Sequence, residues 1–113
     1  SDLLPARERY LGTHIAKVER IAQEQSVPFF ILSGVYGFLS SEELVPYYDH
    51  LLLPEEVQKL VLVIRDQLKR HNIRDIVFYT KQKPNWRPYL DALRDAAVAE
   101  GSVLQVEFLG DNE

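Results

Sequence analysis

The residues best suited to chemistry fall into two groups that lie close together in the chain. Ser33-Gly34-Val35-Tyr36-Gly37 follows the apolar run Pro28 to Leu32, and Val45-Pro46-Tyr47-Tyr48-Asp49-His50 follows soon after. Glycines at 34 and 37 let the backbone turn sharply and let a ligand approach amides that a Cβ would shield. Amide donors and the Ser33 hydroxyl suit a phosphate group. Lys81, Lys83 and Arg87 could supply its counter-charge, and Tyr36, Tyr79 or Trp86 could stack on a base. Asp49, next to His50, is a carboxylate that could orient an imidazole for acid–base work. The structural reading stands beside this one: glycine turns and clustered tyrosines also serve plain architecture.

Known templates do not fit the turn. It lacks the lysine of a nucleotide-binding P-loop and the glycines of a dinucleotide fingerprint, and no serine sits between its glycines as in a nucleophile elbow. His14, His50 and His71 lie in separate segments without metal-ligand spacing. Glu42-Glu43 reads as a solvated pair, and His71 as a cation at a helix end. Neither a metal nor a cofactor is indicated.

Composition narrows the class. With 113 residues, the chain has room for one domain and a real core. Hydrophobic content of 46% and charged content of 27% are ordinary for a globular protein. No apolar run approaches the roughly 20 residues needed to span a bilayer, so no membrane role is expected. The absence of cysteine excludes thiol chemistry, disulfides and cysteine-held metal, and it fits a cytoplasmic protein. A net charge of −4 argues against a broad electrostatic grip on nucleic acid while leaving room for a local basic site. A chain without methionine that begins at Ser1 is expected to be a piece of a longer product.

The elements that must position these residues follow from apolar periodicity. Leu11, Ile15, Val18, Ile21 and Ala22 recur at helical spacing and predict a helix over 6–25. Residues 28–33 read as a strand opened by Pro28, and 34–53 as a long connection with a short helical turn at 41–44. Pro54-Glu55-Glu56 starts a second helix, with an apolar stripe Val57, Leu60, Val61, Ile64 and Leu68; Lys69-Arg70-His71 close it and Asn72 caps it. A strand over 73–80, a polar loop 81–85, a helix over 86–100 ended by Gly101 and a strand over 103–109 complete the chain. Helices alternating with strands predict an α/β domain: a small, mainly parallel three-stranded sheet with helices on its faces. A leading helix with no strand ahead of it implies a missing N-terminal strand.

At Ser33-Gly34-Val35-Tyr36-Gly37-Phe38-Leu39 through Tyr48-Asp49 the sequence resembles the YaaA-like proteins and a related group of small bacterial proteins. Ser33, Tyr36, Gly37 and Leu39 match that family's turn, while Glu43 and Val45 fall at its acidic and aliphatic positions. Tyr48 and Asp49 fall on its tyrosine and following polar residue, with Pro46 one residue early. Pro5-Ala6-Arg7-Glu8-Arg9-Tyr10-Leu11-Gly12 is similar to the start of its first helix. The resemblance implies a family strand before residue 1 and a link to nucleotide or nucleic-acid metabolism, with peroxide stress resistance associated with the larger YaaA itself.

Two functions follow as expectations. In the first, a phosphate-bearing ligand, nucleotide or nucleic-acid component, binds at the turn. Ser33, Gly34 and Gly37 donate, Tyr36 and Tyr48 shape or hydrogen-bond it, Asp49 acts as acid–base group, and Arg7 or Lys81 supplies counter-charge. In the second, the chain is a non-catalytic DNA-associated or protein-interaction module that uses the aromatic loop 45–53. Exposure of Leu51-Leu52-Leu53 would favour this second reading. A homodimer that completes the short sheet is a further expectation.

Overall fold

A computed structural model describes residues 3–6, 13–45, 51–80 and 86–109. Within them the elements run β1 (Leu4–Pro5), α1 (Thr13–Gln25), β2 (Phe30–Ser33), β3 (Gly37–Ser40), β4 (Leu44–Val45), a 3-10 turn (Pro54–Glu56), α2 (Val57–Arg70), β5 (Asp75–Thr80), α3 (Arg87–Glu100) and β6 (Val103–Phe108). The α/β class and the order of the long elements agree with the sequence pattern.

The sheet does not. In place of three parallel strands there are separate pairs: β1 with β4 and β2 with β3, both antiparallel, and β5 with β6 parallel. The segment read as an irregular connection folds straight back as β3, in register Phe30↔Ser40 to Ser33↔Gly37. Gly37 makes this reversal possible, because its φ of +72° is costly for any residue with a Cβ. The helical turn expected at 41–44 is instead a bend at Ser41–Glu42 leading into β4.

Each described helix ends the same way. Asn72 and Gly101 take left-handed φ of 53° and 73°, and Ser26 takes 57°. After α2, Ile73 N–H donates to the Leu68 carbonyl at 2.9 Å and Asn72 N–H to that of Lys69 at 3.3 Å. This paired bonding satisfies carbonyls that the helix leaves open. Val27 to Ala22 after α1 and Ser102 to Ala97 after α3 repeat the longer bond at 3.0 and 2.8 Å.

Two clusters form the core. In the larger, the α2 stripe Val57, Leu60, Val61, Ile64 and Leu68 meets Leu52 and the α3 residues Ala92, Leu93 and Ala96. The small alanines on α3 let the two helices approach closely, and Arg65 Nε ties them at the edge by donating to Glu100 Oε2 at 2.9 Å. The smaller cluster joins Ala6, Ile31, Leu39 and Val45, with Ile15, Phe29 and Tyr36 packed on it. The hairpin β2–β3 serves both. Its alternate residues Leu32 and Phe38 point to the larger cluster, Ile31 and Leu39 to the smaller.

Candidate functional site

The glycine–tyrosine turn is the first place to look, and its polar groups are engaged within the fold. Ser33 is buried at the end of β2, and its Oγ accepts hydrogen bonds from the amides of Val35 and Tyr36, both at 3.1 Å. This is the local serine turn that favours serine at such positions. The two amides thus converge on a side chain of the turn itself. Tyr36 packs its ring on the smaller core cluster.

Gln67, on α2, holds the far side of the turn. Phe38 N–H donates to its Oε1 at 2.8 Å, and its Nε2 donates to the carbonyls of Tyr36 and Phe38, both at 3.1 Å. The side-chain amide therefore takes the place of a neighbouring strand along the outer edge of β3. Gly37 is needed twice, since a Cβ there would collide with Gln67 Oε1. Gln67 was not among the residues singled out from the sequence. Its signal was available: Val63 and Gln67, four apart, flank the buried stripe of α2.

Of the other residues expected at a site, Arg7, Tyr48, Asp49 and Lys81 lie outside the described residues, as do Lys83 and His50. Gly34 sits half-buried in the turn. Trp86 packs edge-on against Phe108 with ring centres 5.4 Å apart, and the Arg87 guanidinium lies 5.8 Å from its ring centre. Packing explains Trp86 without a ligand. Glu42 and Glu43 are exposed, and His71 closes α2. Among the described residues, no group of three or more metal-ligating side chains comes together, and no helix is long and apolar enough to cross a membrane.

Among the described residues, two hollows with mainly apolar walls bear on these readings. The smaller, about 610 Å³, is bounded by Leu51, Leu53, Pro54, Val57 and Pro88, with Arg87, Asp91 and Asp95 at its edge. The segment above it is firmly held. Leu52 is buried in the core, and its N–H donates to the Tyr89 hydroxyl oxygen at 3.1 Å. Leu53 N–H donates to Glu56 Oε1 at 3.0 Å. Because side chains alternate along extended backbone, fixing Leu52 inward turns Leu51 and Leu53 outward, where they are 47% and 43% exposed.

The larger hollow, about 740 Å³, opens between β2 and β5. Ile15, Val18, Ile21 and Ala22 of α1 line it, with Tyr89 and Leu93 of α3 and the strand residues 30–32 and 75–80. Ile15, Val18 and Ile21 are only half-buried, so the apolar stripe of α1 faces this space in part. Among the described residues, Asp75 is the one carboxylate in its wall.

Comparison of the chain with protein-family models, with curated proteins and with solved structures gives no match.

Proposed function

We propose that this chain works as a non-catalytic protein-interaction module. The observation that supports this is the outward presentation of Leu51 and Leu53 over an apolar hollow, on a segment pinned by Leu52. Fixing two leucines at the surface costs solvation free energy, and contiguous exposed apolar area marks interaction sites more often than idle surface. A pinned segment also loses little freedom on binding, which favours association. The first partner to test is a second copy of the chain.

A second reading keeps the phosphate-bearing ligand, nucleotide or nucleic-acid component, at the glycine–tyrosine turn. It draws on the resemblance to YaaA-like proteins at residues 33–39 and 48–49, and on Arg7, Tyr48, Asp49 and Lys81. Against it stands the engagement of Ser33 Oγ and the amides of Val35 and Tyr36 with one another.

Amide-shift titrations separate the two. Inorganic phosphate, a nucleotide mixture and short DNA at physiological salt are expected to leave Gly34–Phe38 unmoved. Raising the protein concentration is expected to move Leu51–Val57, and the double variant L51S/L53S to abolish that movement. Saturable shifts in the turn on adding phosphate or nucleotide, with none at 51–57 on concentration, would put the ligand reading in its place.

A further inference from the structure

We propose that the cleft between β2 and β5 is a slot for one β-strand, taken up from an extended apolar peptide supplied from outside residues 1–113. The argument goes beyond the leucine surface and concerns a separate site.

It starts from the direction of backbone groups. Val103 N–H donates to the Arg74 carbonyl and Leu109 N–H to that of Thr80, each at 2.8 Å. In a strand, the N–H and C=O of one residue point to the same side and those of the next to the other. Arg74, Ile76, Phe78 and Thr80 therefore turn their polar groups toward β6. Asp75, Val77 and Tyr79 turn theirs to the opposite edge.

The same parity holds on the other wall. Phe38 spends its N–H and C=O on Gln67, away from β2. Its register partner Leu32 is then the other half of a non-hydrogen-bonded pair, and turns its own groups away from β3. Two residues on, Phe30 does likewise. Leu32, Phe30, Asp75, Val77 and Tyr79 all line the one cleft. Among the described residues neither of these edges has a ladder partner.

Volume alone would admit a small apolar molecule, since about 740 Å³ falls within the range of such sites. The two facing rows of backbone donors and acceptors decide otherwise. A strand added between them would pair with both rows at once, as in strand addition to an open sheet edge. Because α1 closes one face and α3 the other, the occupant is apolar on both faces, as in a central strand of valine, isoleucine and leucine. A carboxylate of the wall, Asp75, stands at the first residue of β5. It selects a lysine or arginine at the adjacent end of the peptide.

The experiment follows amide hydrogen exchange residue by residue, at a concentration where the protein is monomeric by sedimentation. Synthetic peptides of five or six valine and isoleucine residues carry a solubilising tail and a lysine at one end or the other. One peptide of these is expected to slow exchange at Leu32, Val77 and Tyr79 by at least tenfold, with Ile76 and Phe78 changed little. A control peptide N-methylated at alternate residues, equally apolar but unable to donate on one edge, is expected to bind at least tenfold more weakly. Replacing lysine by glutamate is expected to weaken binding, and D75K to reverse that preference. Equal binding of the N-methylated control, or uniform protection without alternation, would overturn the proposal in favour of a plain apolar pocket. Protection of the same amides by raised protein concentration alone would overturn it in favour of a second copy.

Discussion

Gln67 grips Phe38 by both of its backbone polar groups, receiving the N–H at 2.8 Å and donating to the C=O at 3.1 Å. One side chain thereby docks the β2–β3 hairpin on α2 and finishes an edge that would otherwise be open.

Loss of that grip has a predictable cost. Gln67→Ala leaves three part-buried backbone groups without their partner, and each is worth roughly 1 kcal/mol. A destabilisation of about 2–3 kcal/mol is expected in urea unfolding. Exchange of the Phe38 amide should quicken by more than the global loss explains. A change below about 0.5 kcal/mol would show that the hairpin docks by apolar contact alone.

Gly37→Ala strains a left-handed backbone and drives its Cβ into the same glutamine. It is expected to destabilise by about 2 kcal/mol or more. The two effects share an atom, so they should not add. In the Gln67→Ala background the glycine substitution should cost about 1 kcal/mol, the backbone term with the tight contact to Val63 Cγ1 that remains. A double-mutant cycle measured by denaturant midpoint checks the coupling.

The three leucines at 51–53 should behave as two classes. Leu52→Ala opens a cavity in the larger core cluster and is expected to cost about 2–5 kcal/mol. Leu51→Ser and Leu53→Ser act on exposed side chains and should each change stability by less than about 0.5 kcal/mol. Thermal melts of the single variants are sufficient. Similar losses at all three positions would mean that the outer leucines are part of the fold.

Ser26 closes α1 with a φ of 57°, a conformation that glycine adopts freely and other residues do not. Ser26→Gly is therefore expected to raise stability by about 0.5–1 kcal/mol, and Ser26→Val to lower it by more. The hydrogen bond from Val27 N–H to Ala22 is kept in both, so the comparison isolates backbone strain.

What the sequence revealed depended on how far each signal reached along the chain. The α2 stripe is buried as its spacing predicted, because helix periodicity is local. Asn72 and Gly101 end their helices for reasons of backbone geometry alone. Strand pairing was not legible in this way. Phe38 and Leu39 alternate between two cores, but with only four residues in β3 that alternation looks like loop composition. The glycine at 37 was read as room for a ligand, yet the space is filled by Gln67, thirty positions along. The place of Gln67 beside the α2 stripe was readable from helical spacing, but its reach to residue 37 was not. Arg7, Tyr48, Asp49 and Lys81 lie outside the described residues.

The hairpin's alternation between the two clusters has a consequence for cooperativity. A wall shared by two rooms cannot be removed from one of them alone: displacing Leu32 and Phe38 from the larger cluster also withdraws Ile31 and Leu39 from the smaller. The smaller cluster has few residues of its own and borrows its order from α2 through the hairpin. Its amides should therefore report the fate of the larger core, and the chain should lose both in a single transition.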